Sequence, residues 1–74
     1  MLTYSASSLI VSGDNRYVAE HVAAAIGLTP RIVVGEELEG LASAAFARRV
    51  AAANVFAEMT PDQQERVVVA LRRA

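Results

Sequence analysis

The chain has no cysteine and no lysine, and all seven of its basic residues are arginine. Without cysteine there are no disulfides and no thiolate zinc sites, and the redox compartment is left unmarked. Without lysine there is no Schiff-base chemistry and no phosphate-loop lysine. The single histidine, His21, cannot build a multi-histidine metal site. Aromatic residues are limited to Tyr4, Tyr17, Phe46 and Phe56, too few for a base-stacking surface. Clean apolar runs such as Val22 to Ile26 are far too short to span a bilayer. Met1 to Ser8 carries no positive charge and does not read as a signal peptide. The expectation is a cytoplasmic chain without direct membrane insertion. A net charge of −1 gives no broad attraction to nucleic acid or anionic lipid.

What is present is 74 residues, 54% of them hydrophobic, with much of that supplied by alanine. A chain of this length makes one small domain near the lower limit of independent stability. Residues 1–7 read as a frayed or disordered end, leaving 8–74 as the domain. Ser8 to Ser12 is a short apolar run that ends in Gly13-Asp14-Asn15, which suits a buried parallel strand. A helix follows, with Val18, Ala19, Val22, Ala23 and Ile26 as its inward stripe. Gly27 supplies a left-handed stop, Leu28 packs back, and Pro30 prevents continuation.

Arg31 to Val34 is a second β-like run, and Glu36-Glu37-Leu38 forms one turn. Ser43 is placed as the cap of a helix over Ala44–Ala53 that buries Phe46, Val50 and Ala53 and leaves Arg48 and Arg49 solvated. Asn54 to Ala57 is a third strand. Thr60-Pro61-Asp62-Gln63 is a helix start with a capping threonine, a proline at the first position and a capping-box glutamine. The last helix turns Val67, Val68 and Leu71 inward. Strand–helix alternation with strands this short predicts an α/β fold with a mainly parallel sheet. Functional residues then gather where strands end: Ser12–Asn15, Gly35–Glu37 and Glu58–Pro61.

Ser12-Gly13-Asp14-Asn15 is the leading candidate site. A strand that stops at Ser-Gly and opens into a helix offers backbone N–H groups, a hydroxyl and the positive helix end to a phosphate. The same four letters also read as a plain strand-to-helix turn with Asp14 or Asn15 as the N-cap. His21, the glutamates at 36, 37 and 39, Arg48-Arg49 and Arg72-Arg73 read as solvated surface, and Tyr17 and Phe46 as packing residues.

In context, Ser12-Gly13-Asp14-Asn15 followed by Val18-Ala19 and Val22 to Leu28 resembles the hinge segment of P-type cation-transporting ATPases. Val34-Gly35-Glu36-Glu37-Leu38 is similar to that family's Gly-x-Glu-Leu segment. Val55 to Pro61 is similar to its Val-Phe-Ala-Arg/Glu-Val-Ser/Thr-Pro strand and cap, and Gln63 to Leu71 to the helix that follows. The resemblance covers Leu9 to Leu71, and Arg16-Tyr17-Val18-Ala19 leans toward the magnesium-transporting branch. It implies a partial phosphorylation domain of the haloacid-dehalogenase-like, Rossmann-type fold, with ATP and Mg²⁺ as the family's substrate and cofactor. It further implies that Ser12 and Gly13 hold phosphate, that Asp14 and Asn15 lie near the nucleotide, and that Gln64 stands where the family places a lysine.

The sequence departs from the family pattern in three ways. No Asp-Lys-Thr-Gly-Thr motif is present, and no Gly-Asp-Gly-x-Asn-Asp motif. The Pro-x-x-Lys position reads Pro61-Asp62-Gln63-Gln64. Nucleophile, metal carboxylates and motif cation are all missing, so these residues are expected not to hydrolyse ATP alone. The resemblance also places two missing strands beside Leu9–Ser12, which predicts an open sheet edge there. The expected partners are therefore the remainder of such an ATPase or a copy of this chain, with weak phosphate or nucleotide contact. The rival reading is a non-catalytic interaction module or self-associating α/β domain.

Overall fold

The computed structural model describes residues 2–4 and 9–73. The elements, in chain order, are β1 (Leu2–Tyr4), β2 (Leu9–Val11), α1 (Arg16–Ala25), β3 (Ile32–Val34), α2 (Gly35–Leu38), α3 (Ser43–Ala52), β4 (Val55–Ala57) and α4 (Pro61–Arg73). β2, β4 and β3 form a parallel sheet with β4 in the centre, and β1 adds antiparallel to the outer edge of β2. This is the expected α/β, Rossmann-like arrangement with a short, mainly parallel sheet. No helix among the described residues is long and apolar enough to cross a membrane.

β1 changes two expectations. Leu2–Tyr4 is a strand rather than a frayed end, and Met1 and residues 5–8 lie outside the described residues. The edge of β2 that was expected to be open carries β1, in the register Thr3 to Ile10. A short chain of β-capable residues satisfies that edge locally, so sheet completion through β2 does not require a second copy.

Side chains alternate across the sheet as strand geometry demands. Ile10, Val55, Ala57 and Val34 face α1, where Ala19 and Ala23 are fully buried against them. Val11, Phe56 and Val33 face the other way, into a larger cluster with Leu38, Phe46, Val50 and Val67 from α2, α3 and α4. The result is three layers, α1 on one face and α3 with α4 on the other.

The inward stripe of α1 is rotated from the one expected. The two alanines let the helix approach β4 closely, so Val22 is half-buried while Val18 and Ile26 are 42% and 53% exposed. Val18 sits about 120° round the helix from the alanine axis, and Ile26 lies past the last helical turn. Tyr17, read as a packing residue, is 76% exposed because it lies opposite the alanines.

The termini of α1 follow their local chemistry. Asn15 is the N-cap, accepting from the N–H groups of Tyr17 and Val18 at 3.0 and 2.9 Å. Gly27 has φ +81°, and the Leu28 N–H donates to the Ala23 carbonyl at 2.9 Å, which closes the helix end. Ser43 is the first residue of α3 rather than its cap. The cap is Ala42, which offers no side-chain acceptor. Phe46, Val50 and Ala53 are buried as expected.

Candidate functional site

α1 leaves β2 toward one face of the sheet, and α4 leaves β4 toward the other. The C-terminal ends of β2 and β4 therefore flank a topological switch point, the place where open α/β sheets bind ligands. Two loops line it: Ser12–Asn15 after β2 and Glu58–Thr60 after β4.

These loops are joined to each other. The Ser12 N–H donates to the Phe56 carbonyl at 2.8 Å, the Met59 N–H to the Ser12 carbonyl at 3.1 Å, and the Glu58 N–H to the Asp14 carbonyl at 2.8 Å. The Ser12 hydroxyl, on a residue only 1% exposed, accepts from the Asp14 N–H at 2.9 Å and donates to Asp14 Oδ2 at 3.1 Å. Asp14 and Asn15 are exposed at the rim.

Gly13 is exposed and packs closely on the β4 loop. A Cβ placed there would lie 3.3 Å from Gln64 Nε2 and 3.3 Å from the Met59 carbonyl oxygen. Gln64 Nε2 donates to that same carbonyl at 3.2 Å. The structure thus brings Ser12, Gly13 and Gln64 together at the crevice, although they are separated by 52 positions in the chain. Gln64 reaches the site because the Thr60 cap starts α4 at Pro61, which aims its first turn back over Gly13.

Glu58 lies in the Glu58–Pro61 segment expected to gather functional residues, but its part in capping α1 is not foreseen by sequence reasoning. It is a non-glycine residue with positive φ, 54°. That left-handed turn swings its carboxylate onto the N-terminus of α1. There Oε2 accepts from the Arg16 N–H at 3.0 Å and from Arg16 Nε at 2.9 Å. The hydrogen bond from the Arg16 side chain, then that from its backbone, holds the Glu58 carboxyl below its ordinary range. The same pairing raises Arg16. With Asn15 taking the next two N–H groups and the Asn15 carbonyl taking that of Ala19 at 3.1 Å, the first turn of α1 is fully partnered. The positive helix end is occupied by a carboxylate of the chain itself. The turn is therefore the N-cap arrangement that the four letters alone allowed, with an added internal anion.

Two buried amides hold this end and the opposite end in place. Gln63 Oε1 accepts from the Thr60 N–H at 3.0 Å, and its Nε2 donates to the Gly35 carbonyl at 3.0 Å and to Glu39 Oε1 at 3.2 Å. The Gln63 N–H donates back to Thr60 Oγ1 at 3.2 Å, so the expected capping box forms and also ties α4 to the turn after β3. At the far end of the sheet Asn54 accepts from the Arg31 N–H at 2.6 Å and donates to the Thr29 carbonyl at 2.9 Å. The glutamates near α2 are structural acceptors in part: Glu37 Oε2 takes the Val34 N–H at 3.1 Å. Among the described residues no group of three or more metal-ligating side chains forms.

No protein-family model matches the chain, and no solved structure matches it. It is 37% identical over 65 residues to the magnesium-transporting ATPase, P-type 1, of Salmonella typhimurium, covering 86% of this chain and 7% of that protein. It is 35% identical over 75 residues to a probable cation-transporting ATPase I of Mycobacterium leprae, covering 99% of this chain and 5% of that protein. The magnesium-transporting ATPase of Escherichia coli strain K12 is 34% identical over 65 residues. The chain therefore spans about 4–7% of the length of the curated relatives it matches. Across most of its length it is similar to one short segment of P-type cation-transporting ATPases.

Proposed function

We propose that these residues are a piece, or a degenerate relative, of the phosphorylation domain of a P-type cation-transporting ATPase, with a haloacid-dehalogenase-like ancestry. Its remaining chemistry is a weak phosphate contact at the β2–β4 crevice. The observation that carries this reading is the meeting of Gly13 and the Gln64 amide there, 3.3 Å from Cβ position to Nε2. In this reading Gly13 presents its exposed backbone, Gln64 turns its amide from the Met59 carbonyl toward a phosphate oxygen, and Ser12 adds its hydroxyl by turning it from Asp14. Asp14 and Asn15 form the rim on the nucleotide side.

Two features keep the contact weak. The Gln64 amide is a neutral donor where a cation would supply a full charge. The carboxylates of Asp14 and Glu58 stand at the same mouth and repel an anion, and the guanidinium of Arg16 is already spent on Glu58. The residues present do not fit a Mg²⁺ site either. Asp14 is bonded to Ser12 and Glu58 to Arg16, and no third carboxylate joins them among the described residues. ATP and Mg²⁺ are taken from the resemblance, and no catalytic residue is assigned to this chain.

The test is thermal stabilisation by inorganic phosphate for the wild type and for Gln64→Lys, with ATP turnover followed in both. The proposal expects millimolar stabilisation of the wild type, at least about tenfold tighter binding with lysine, and no turnover in either. Equal response of the two proteins, or turnover by the wild type, would overturn it.

A further inference from the structure

The net charge of −1 conceals a strong separation of charge between the layers. The layer formed by α3 and α4 carries Arg48, Arg49, Arg66, Arg72 and Arg73 against only Asp62 and Glu65. The remainder carries Asp14, Glu20, Glu36, Glu37, Glu39 and Glu58 against Arg16 and Arg31. Arg16 is paired with Glu58, and Arg31 Nε donates to the Ala52 carbonyl at 3.1 Å. The five arginines of the α3–α4 layer are exposed, and among the described residues none forms an ion pair.

Between these two helices lies a groove of about 900 Å³. Phe46 and Val50 form its floor, and Val69 and Ala70 form its α4 wall. Val69 is 40% exposed, a large aliphatic side chain left without cover on a helix of otherwise strong amphipathic character. Arg66 stands on the rim with its guanidinium carbon 4.2 Å from the centroid of the Phe46 ring, which holds the charge beside the apolar floor. Both helices run from the C-terminal end of the parallel sheet to the opposite end. Asp62 and Glu65 therefore mark one end of the groove and Arg73 the other.

We propose that this groove docks a partner helix whose apolar stripe is flanked by acidic residues. α3 has 10 residues and α4 has 13, so the groove accommodates a helix of about three to four turns, about 15–20 Å. Charge complementarity fixes the chemistry of the partner: carboxylates flanking its stripe meet Arg66 and Arg73, the two arginines that line the groove, and the net positive charge of the α3–α4 layer adds a longer-range attraction. The groove also has polarity, so the acid-rich end of the partner lies toward Arg73 and away from Asp62 and Glu65. A concave channel between parallel helices suits an inserted helix better than a flat bilayer.

The test uses a synthetic helical peptide with leucines at i, i+3, i+4 and i+7 flanked by glutamates, and a twin with lysines in place of the glutamates. Binding is read by fluorescence anisotropy and located by amide chemical shifts. The glutamate peptide binds in the micromolar range and the lysine twin at least about tenfold more weakly, with shifts centred on Phe46, Val69 and Ala70. Val69→Asp, at an exposed position, keeps the melting temperature and weakens binding by about tenfold or more. The double reversal Arg66→Glu with Arg73→Glu moves the preference to the lysine twin. Equal affinity for the two peptides, no binding of the glutamate peptide at about 1 mM, or indifference to Val69→Asp overturns the proposal. Preferential binding to phosphatidylglycerol vesicles also overturns it and assigns the surface to an anionic membrane.

Discussion

Replacing Gly35 by alanine sets two physical effects of opposite sign against each other. Gly35 opens α2 with an unexceptional backbone, so helix propensity alone favours alanine by roughly 0.5–1 kcal/mol. Space argues the other way. The new methyl group would overlap both the Glu58 carbonyl oxygen and Gln63 Oε1, with Gln63 Cδ at 3.2 Å. The carbonyl cannot swing aside freely, because the Glu58 N–H is held by Asp14 and the Glu58 carboxylate by Arg16. Overpacking of this kind costs about 1–3 kcal/mol. Displacing Gln63 from the Gly35 carbonyl and the Thr60 N–H adds about 1 kcal/mol for each bond lost. The net expectation is a loss of about 2–4 kcal/mol, read by urea denaturation, and a fall in melting temperature of at least roughly 8–16 °C for a domain of this size. Gln63→Ala alone costs about 2 kcal/mol by stripping partners from buried backbone groups, and adding it to Gly35→Ala should cost at least about 1 kcal/mol less than the sum. A Gly35→Ala protein as stable as the wild type would refute the argument that the turns after β3 and β4 are packed to contact through Gly35.

Asn15→Ala removes the acceptor for the Tyr17 and Val18 N–H groups and should cost about 1 kcal/mol, with faster amide exchange confined to the first turn of α1. Uniformly faster exchange would contradict a local capping role. Glu58→Gln tests the Arg16 clasp through pH. The folded carboxyl lies below its ordinary value of 4.5, so its stabilisation is complete above that value and fades as pH falls through the lower, folded value. The same pairing raises Arg16, which stays charged throughout, so its share is constant across this range. The stability gap between wild type and Glu58→Gln should therefore be open at pH 7 and close as acidification protonates the folded carboxyl; a gap that stays constant contradicts the ion pair. Asn54→Ala should cost about 2 kcal/mol, because the Thr29 carbonyl and the Arg31 N–H lose their partner at the buried end of the sheet. A loss below about 0.5 kcal/mol would show that water replaces it.

Much of the fold is written locally. The apolar triplets Leu9–Val11, Ile32–Val34 and Val55–Ala57 are short, β-branched in large part and bounded by turn residues, which favours strands over helix segments. Gly27 and Thr60-Pro61 fix helix ends by conformational and capping chemistry that needs no tertiary context. What stayed hidden depends on pairs distant in the chain. Glu58 and Arg16 are 42 positions apart, and nothing in either neighbourhood predicts that a left-handed glutamate caps a helix from the other loop. The rotation of α1 was hidden for a related reason. Periodicity favours the larger valines, whereas close packing on β4 selects Ala19 and Ala23. The strand at Leu2–Tyr4 was missed because its stability lies in pairing with β2 rather than in its own composition. Gln64 was legible, since a shared helix face with Val67 and Leu71 points it toward the sheet. The filling of the crevice by Glu58 was not.

The most direct test of the central claim is an amide NMR titration with Mg²⁺ and inorganic phosphate, compared with Mg²⁺ alone. A surviving phosphate contact predicts saturable shifts confined to the backbone of Ser12, Gly13 and Asp14 and to the side-chain amide of Gln64, with millimolar affinity. Dispersed spectra in which these four residues are silent to phosphate, while Mg²⁺ alone gives the same pattern, would contradict the claim.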